Sequence, residues 1–393
     1  MSGHDHVETS VGAVDGTRPA AEPRRRRRRR IAALVVVSLL VVATTATVLF
    51  KALPASSYQR LDRTDRTAFD QLADVFSASA ALPDRLWTSD YRYDRQPLVL
   101  LRTDGAKSPL WRYAYLINMS EVVDTSGMQK VSFPDHAALR DVYVSNTFGL
   151  ATPGLWMPGD FTWLDVGGIE VLGFKFHDGM LGDDPPAGLP FATFAMHEAF
   201  HVGKQAGWRY DVDGDPAVFD FPHTPEHRRL LTAEFAILDR VSTADAAEFP
   251  QLAADLAAIR AARYQTWPQV KAQDDVEAIE GTATYFERAY QRIAAPDSAE
   301  AGVTFVDWLE SAWHEPVDDS GLTRNVYYAT GAQLGLLLDR VAPSWKRDIE
   351  PSPSGRGWTP GESLRQATGV TTAPGDAAVA EITARYAPTP GGS

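Results

Sequence analysis

The chain has 393 residues, no cysteine and a formal net charge of −13. Without thiols it cannot carry a disulfide scaffold, a zinc finger, an iron–sulfur cluster or a cysteine nucleophile. Its acidity argues against nucleic-acid binding, because phosphate contacts need a basic face. The length is sufficient for one large domain or two smaller ones with a substantial core.

The charge is divided unevenly between a basic N-terminal segment and an acidic body. Residues 1–51 contain nine basic and four acidic side chains, which leaves residues 52–393 with a net charge of −18. Seven consecutive arginines, 24–30, directly precede twenty uncharged and mostly apolar residues, 31–50. A helix of that length spans roughly 30 Å, the thickness of the hydrocarbon core of a bilayer. The sequence therefore predicts a transmembrane helix over 31–50.

The arginine block also predicts the orientation of this helix. Positively charged flanks stay in the cytoplasm, so we expect residues 1–30 to form a disordered basic cytoplasmic tail. A cleaved signal peptide is the alternative, although the apolar run is longer than the ~7–15 residues usual for one. In both cases the body lies outside the cytoplasm, and the favoured location is the cell membrane with a single-pass anchor.

The first part of the body, residues 56–190, is predicted to be rich in β-structure. Residues 56–80 have a loose helical spacing of apolar side chains. Short β-like runs then follow at 97–101, 111–117 and 141–145, and residues 161–176 predict a hairpin around Gly167 and Gly168.

The second part, residues 191–350, is predicted to be mainly helical. Helical patterns cover 191–205, 224–267, 276–294 and 327–343, with a break in the long second pattern near 242–250. Residues 351–393 contain clusters of Pro, Gly and Ser and predict a C-terminal helix with a loose tail. The expected fold class is therefore α+β, with a transmembrane helix, a small β-rich portion and a mainly helical portion.

A metal-binding pattern lies in the first helix of this second part. Residues 197–201 read HEAFH, and on a helix His197 and His201 project from one face one turn apart. Their imidazoles can then occupy adjacent positions around one metal ion. Glu198 lies beside that face, where its carboxylate can accept a proton from a water molecule. Because no thiolate is available, zinc suits the remaining imidazole and carboxylate ligands.

A catalytic zinc site needs a third protein ligand besides the two histidines. The residues after His201 lack the H-x-x-G-x-x-H spacing that would supply a third histidine. A carboxylate from another helix is therefore expected, and the candidates are Glu280, Glu277 and Glu234. We expect the acids that do not bind the metal to accept the second ring N–H of His197 or His201.

The HEAFH motif, followed at 280–287 by EGTATYFE, resembles the gluzincin metallopeptidases. The closer resemblance is to bacterial membrane-bound or secreted proteins with a long helical insertion between the two motifs. These proteins share a late helix that corresponds here to YYATGA at 327–332. The resemblance covers roughly residues 190–345, and it implies a zincin-like catalytic portion with Glu280 as the third zinc ligand.

Water attack on a carbonyl creates an oxyanion that needs a hydrogen-bond donor besides the metal. The candidate donors are Tyr328, Tyr285, Tyr327 and Arg324, of which the first two are favoured as catalytic residues together with Glu198. Gln205, one turn after His201, is a candidate for lining the site.

The expected function is a membrane-anchored, extracytoplasmic zinc metallohydrolase that acts as a peptidase on a peptide or protein substrate. Two other functions remain open: an inactive sensor or interaction ectodomain on a peptidase-like fold, and a zinc hydrolase of a non-peptide amide or ester. The intact HEAFH motif favours an enzyme, because a decayed site usually loses its glutamate.

Overall fold

The structure, a computed structural model, describes residues 53–182, 190–210, 220–295, 304–314, 321–351 and 355–387. The predicted cytoplasmic tail and transmembrane helix lie outside these ranges. None of the helices within the ranges combines the length and the apolar character that crossing a bilayer requires. All the described residues belong to one compact unit, 52–393.

The β-rich part of the chain forms one six-stranded mixed sheet. Its strands are β1 (Leu98–Thr103), β2 (Trp111–Ile117), β3 (Gln129–Lys130), β4 (Val142–Ser145), β5 (Phe161–Val166) and β6 (Ile169–Phe176). Their spatial order is β3-β4-β2-β1-β6-β5, with β1 parallel to β6 and every other pair antiparallel. Gly167 and Gly168 adopt φ angles of 63° and 85°, which favour glycine, and they form the predicted hairpin turn.

Twelve α-helices occur within the described ranges. They are α1 (Arg63–Ala81), α2 (Pro83–Leu86), α3 (Phe191–Gly203), α4 (Pro225–Val241), α5 (Phe249–Thr266), α6 (Gln273–Val276), α7 (Thr282–Ala294), α8 (Phe305–His314), α9 (Val326–Val341), α10 (Trp345–Asp348), α11 (Pro360–Thr368) and α12 (Asp376–Arg385). A π-helical segment, Glu277–Gly281, joins α6 to α7, and a second one, Gly321–Asn325, precedes α9. The α+β class is as predicted.

Some element boundaries differ from the predicted ones, and local caps mark where the helices begin. The predicted helix over 56–80 begins only at Arg63, after an N-cap in which Asp62 accepts the backbone N–H of Asp65. The predicted break in the long helical pattern lies between α4 and α5. The C-terminal region holds two helices, and Thr359 and Glu362 form a capping box at the start of α11.

The HEAFH helix, α3, is anchored on the sheet by aromatic residues. Phe191 in its first turn packs against Phe174 and Phe176 of β6, with ring centroids 5.8 Å apart in both pairs. Phe194 contacts Phe174 at 5.2 Å and Phe161 of the edge strand β5 at 5.7 Å. These contacts fix α3 beside the β5 edge of the sheet.

Helices α7 and α9 cross at an unusually close glycine contact. A Cβ atom on Gly281 would lie 2.7 Å from the Cα of Gly331, so neither position has room for a side chain. The Glu277–Gly281 segment is therefore pressed directly against α9. This crossing brings Glu280 close to Arg324 and Tyr328, which precede Gly331 along the chain.

Candidate metal centre

Three of the predicted ligands converge on one point. The Nε2 atoms of His197 and His201 both lie 3.3 Å from Oε2 of Glu280, and the three ligand atoms are within 4.8 Å of one another. Zinc bonds of about 2.0–2.1 Å at tetrahedral angles place neighbouring ligand atoms roughly 3.3–3.4 Å apart. The donor set and the two imidazole–carboxylate distances are therefore compatible with a bound metal ion such as zinc, and we call these three residues the metal cluster.

The second ring nitrogen of each histidine also has a partner. Nδ1 of His201 lies 2.6 Å from Oε1 of Gln205. The amide nitrogen of Gln205 donates to the carbonyl of Ile279 and to the hydroxyl of Thr282, so its oxygen faces the imidazole. This arrangement places a proton on Nδ1 and directs Nε2 towards Glu280.

Glu287 is the corresponding partner of the other histidine. Its Oε2 lies 3.6 Å from Nδ1 of His197. Sequence reasoning assigned no role to Glu287, although the signal was present. Glu287 follows Glu280 by seven residues, or about two helical turns, so both side chains lie on one face of the helix.

The two other candidate ligands, Glu277 and Glu234, do not reach the metal cluster and do not accept a histidine N–H. Both are fully buried and bind arginines. Arg260 donates to both oxygens of Glu277 at 2.7 Å and to Glu234 at 2.9 Å. Arg263 pairs with the second oxygen of Glu234, and Gln273 donates to the first at 2.9 Å. We call these five residues the core network.

The pKa values of His197 and Glu280 in the metal cluster are shifted in opposite directions. Burial opposes protonation of His197, but its contacts with Glu280 and Glu287 outweigh burial and raise its pKa to about 9. Burial also opposes ionisation of Glu280, yet the two imidazoles hold its pKa well below the usual range. Both shifts favour opposite charges on His197 and Glu280, and a divalent cation held by these atoms would compete with the proton of His197.

The remaining polar groups near the cluster face the same cleft. Glu198 is only 8 % exposed, and burial raises its pKa above the usual value. The ring of Tyr328 lies parallel to that of His197, with centroids 6.0 Å apart. Arg324 donates to Oε1 of Glu280 at 2.9 Å, and its guanidinium lies 5.2 Å above the ring of Tyr328.

These residues line a cleft of about 890 Å³. One wall is the edge strand β5, with Phe161 and Trp163, and α7 contributes Thr284 and Arg288 to the lining. Trp163 is 53 % exposed although it is a large apolar side chain. An open cleft with aromatic walls and a convergent polar cluster has the composition of a substrate-binding site.

The chain matches no protein-family model, no curated protein and no solved structure. The resemblance to gluzincins therefore rests on the two motifs themselves. What the site can do is inferred from its own residues.

Two of the candidate oxyanion donors lie away from the cleft. Tyr285 donates its hydroxyl to Asp339 at 2.6 Å, and its ring packs between Trp87 and Trp345, so we assign it a structural role. It follows Glu280 by five residues, which places it on another face of the helix. Tyr327 is fully buried beside Arg263 of the core network. Tyr328 and Arg324 are the candidates that the structure brings to the cleft.

Proposed function

We propose that the protein is a zinc-dependent peptidase with its active site in this cleft. The observation that carries the proposal is the convergence of His197 Nε2, His201 Nε2 and Glu280 Oε2 beside the buried carboxylate of Glu198. A HEAFH helix with a distal glutamate ligand is the arrangement that activates water for amide hydrolysis in zinc peptidases.

Each cleft residue has a role in this proposal. Zinc at the site would polarise the scissile carbonyl and lower the pKa of a water molecule. Glu198 accepts the proton of the attacking water and passes it to the leaving amine. Tyr328 donates a hydrogen bond to the developing oxyanion. Arg324 holds Oε1 of Glu280, so that Oε2 stays directed at the histidines.

The edge strand supports a peptide substrate over other amides. β5 is the last strand of the sheet on this side and lines the cleft through Phe161 and Trp163. An extended peptide can add to such an edge through main-chain hydrogen bonds, with its side chains in alternate pockets. The aromatic residues would then contact the substrate next to the scissile bond.

We also propose that the enzyme is tethered to the cell membrane. The apolar segment 31–50 and the arginines 24–30 before it support an N-terminal anchor with the cytoplasmic end first. The cleft would then face the extracytoplasmic side. The substrate would be an extracytoplasmic peptide or protein.

The test is digestion of a peptide library by the purified full-length protein, with zinc and with a chelator, read by mass spectrometry. Glu198→Gln should retain zinc but lower turnover by about 10²–10⁴-fold, because the proton acceptor is lost. Glu381→Gln is the control and should keep wild-type turnover, since Glu381 is exposed on α12 and does not line the cleft. Undiminished turnover by Glu198→Gln, or turnover that resists the chelator, would contradict the proposal.

A further inference from the structure

Two glutamates three residues apart, Glu277 and Glu280, serve different parts of the molecule. Glu277 is fully buried and belongs to the core network, whereas Glu280 faces the cleft and belongs to the metal cluster. In a regular α-helix, residues three apart are only about 60° apart around the axis. Their side chains would therefore share one face, and their carboxylates would compete for the same surroundings.

The local backbone separates them. Residues Glu277–Gly281 form a π-helical turn, which is wider than an α-helical turn and rotates Glu280 further round the axis from Glu277. A π turn is a rare conformation that persists only where tertiary contacts hold it. Two such contacts are present: the backbone of Gly281 is pressed against Gly331, and the side chain of Glu277 accepts three hydrogen bonds from two residues.

Arg260 on α5 provides the strongest of these contacts. Its two terminal nitrogens bind the two oxygens of Glu277 at 2.7 Å each, in the planar two-pronged geometry that only arginine offers. Arg260 is itself held by Glu234 through Nε, at 2.9 Å. Thr330 on α9 adds a hydrogen bond of 2.7 Å to Glu277. The start of the π turn is therefore tied to two other helices.

We propose that Arg260 is a positioning residue of the metal site, which acts by holding Glu277 and so fixing the rotation of the π turn that aims Glu280 at the histidines. Arg260 itself does not touch the metal. This inference rests on the proposed function to the extent that it requires the metal cluster to bind zinc. It assigns Arg260 and Glu277, but not the rest of the core network, a role in metal affinity as well as in stability.

Arg263 provides a matched control for Arg260. Both arginines are on α5, both are at most 2 % exposed and both bind Glu234. Arg263 bonds to Glu234, Gln273 and His227, whereas the guanidinium that binds Glu277 is that of Arg260. Replacing either arginine by lysine should cost comparable stability. Only the change at Arg260 should loosen the π turn.

The experiment measures zinc affinity by competition with a chromophoric chelator, together with the melting temperature, for the full-length protein. Arg260→Lys should weaken zinc binding by about 10–100-fold, the usual cost of losing a supporting group around metal ligands. Arg263→Lys should lower the melting temperature to a similar extent but keep the affinity near that of the wild type. The proposal would be overturned if both variants kept wild-type zinc affinity, or if both lost zinc affinity to the same extent.

If Arg260→Lys does not fold, Thr330→Val tests whether the contacts of Glu277 control zinc affinity. Valine has nearly the shape of threonine but donates no hydrogen bond, so Glu277 loses one of its donors while packing is preserved. A smaller loss of zinc affinity in the same direction supports the positioning role, and an unchanged affinity overturns it. Wild-type protein that binds no zinc would instead refute the proposed function.

Discussion

The metal cluster and the core network both contain buried glutamates, but they surround them with different partners. In the core network, the carboxylates of Glu234 and Glu277 are neutralised by two guanidinium groups, which keep their charge at every accessible pH. In the metal cluster, Glu280 faces two imidazoles, which can exchange a proton for a metal ion. The comparison shows that the charge state of the partner separates a structural acid from a ligand.

Removing the ligand carboxylate should have the largest effect. Glu280→Ala should abolish stoichiometric zinc binding and hydrolysis, because two imidazoles alone leave the site incomplete. Glu287→Gln, which changes only the partner of His197, should weaken zinc binding by about 10–100-fold. Zinc content after dialysis and a chelator competition assay measure both. Full zinc retention by Glu280→Ala would contradict the assignment.

Removing the carboxylate of Glu234, a core-network residue outside the π turn, should instead reduce the stability of the fold. Glu234→Gln leaves two buried arginines short of a counter-charge and should destabilise the fold by about 3–5 kcal/mol. Zinc affinity should stay close to that of the wild type. Urea unfolding measures the loss, and Glu248→Gln, which disrupts an exposed pair with Arg240, should leave the transition unchanged. A Glu234→Gln variant of wild-type stability would remove the distinction between the two clusters.

Tyr328 of the late helix and Tyr285 of the second motif should also differ: loss of the Tyr328 hydroxyl should affect catalysis, and loss of the Tyr285 hydroxyl should affect stability. Tyr328→Phe should lower kcat by about 100-fold with little change in KM, because it removes an oxyanion donor. Tyr285→Phe should leave kcat unchanged and slightly lower the melting temperature, since it loses only the hydrogen bond to Asp339. Steady-state kinetics on a cleaved library peptide test both. The reverse ranking would show that the wrong tyrosine has been placed in the cleft.

The smallest predicted effect is a pH dependence of the stability of the fold, caused by His227, which contacts Arg263 of the core network. Burial and the charge of Arg263 lower the pKa of His227 from 6.5 to about 3. Between these values the unfolded chain takes up a proton that the folded protein does not, so stability decreases as the pH falls. The slope from this group is at most about 1.4 kcal/mol per pH unit.

Urea unfolding of metal-free protein at several pH values between 7 and 4 measures this slope. His227→Gln carries no titrating ring, so its stability should decrease less steeply over the same range. Identical pH profiles for the variant and the wild type would refute the assignment of the slope to His227.

The sequence predicted the elements whose pattern is local. The β-like run at 111–117, the glycine pair of the hairpin and the helical spacing of α3 each appear in the structure. The four-residue spacing of His197 and His201 was enough to place both imidazoles on one face. Interpretation of the C-terminal region was less complete, because its two helices are short and the composition is rich in Pro and Gly.

The choice among three glutamates could not be made from local pattern. Glu234, Glu277 and Glu280 all occur within apolar helical segments, and only the motif resemblance favoured Glu280. What separates them is Arg260 and Arg263, which approach from another helix through tertiary packing. The π turn is equally invisible in the sequence, because the contacts that hold it, Gly281 with Gly331 and Glu277 with Arg260, come from other helices.

X-ray absorption spectroscopy of the zinc-loaded full-length protein tests the central claim most directly. The account predicts one zinc ion bound by two imidazole nitrogens and a carboxylate oxygen, all at about 2.0–2.2 Å. It also predicts that this spectrum is retained in Glu234→Gln. A zinc ion with fewer than two imidazole ligands, or with a coordination shell that changes in Glu234→Gln, would contradict it.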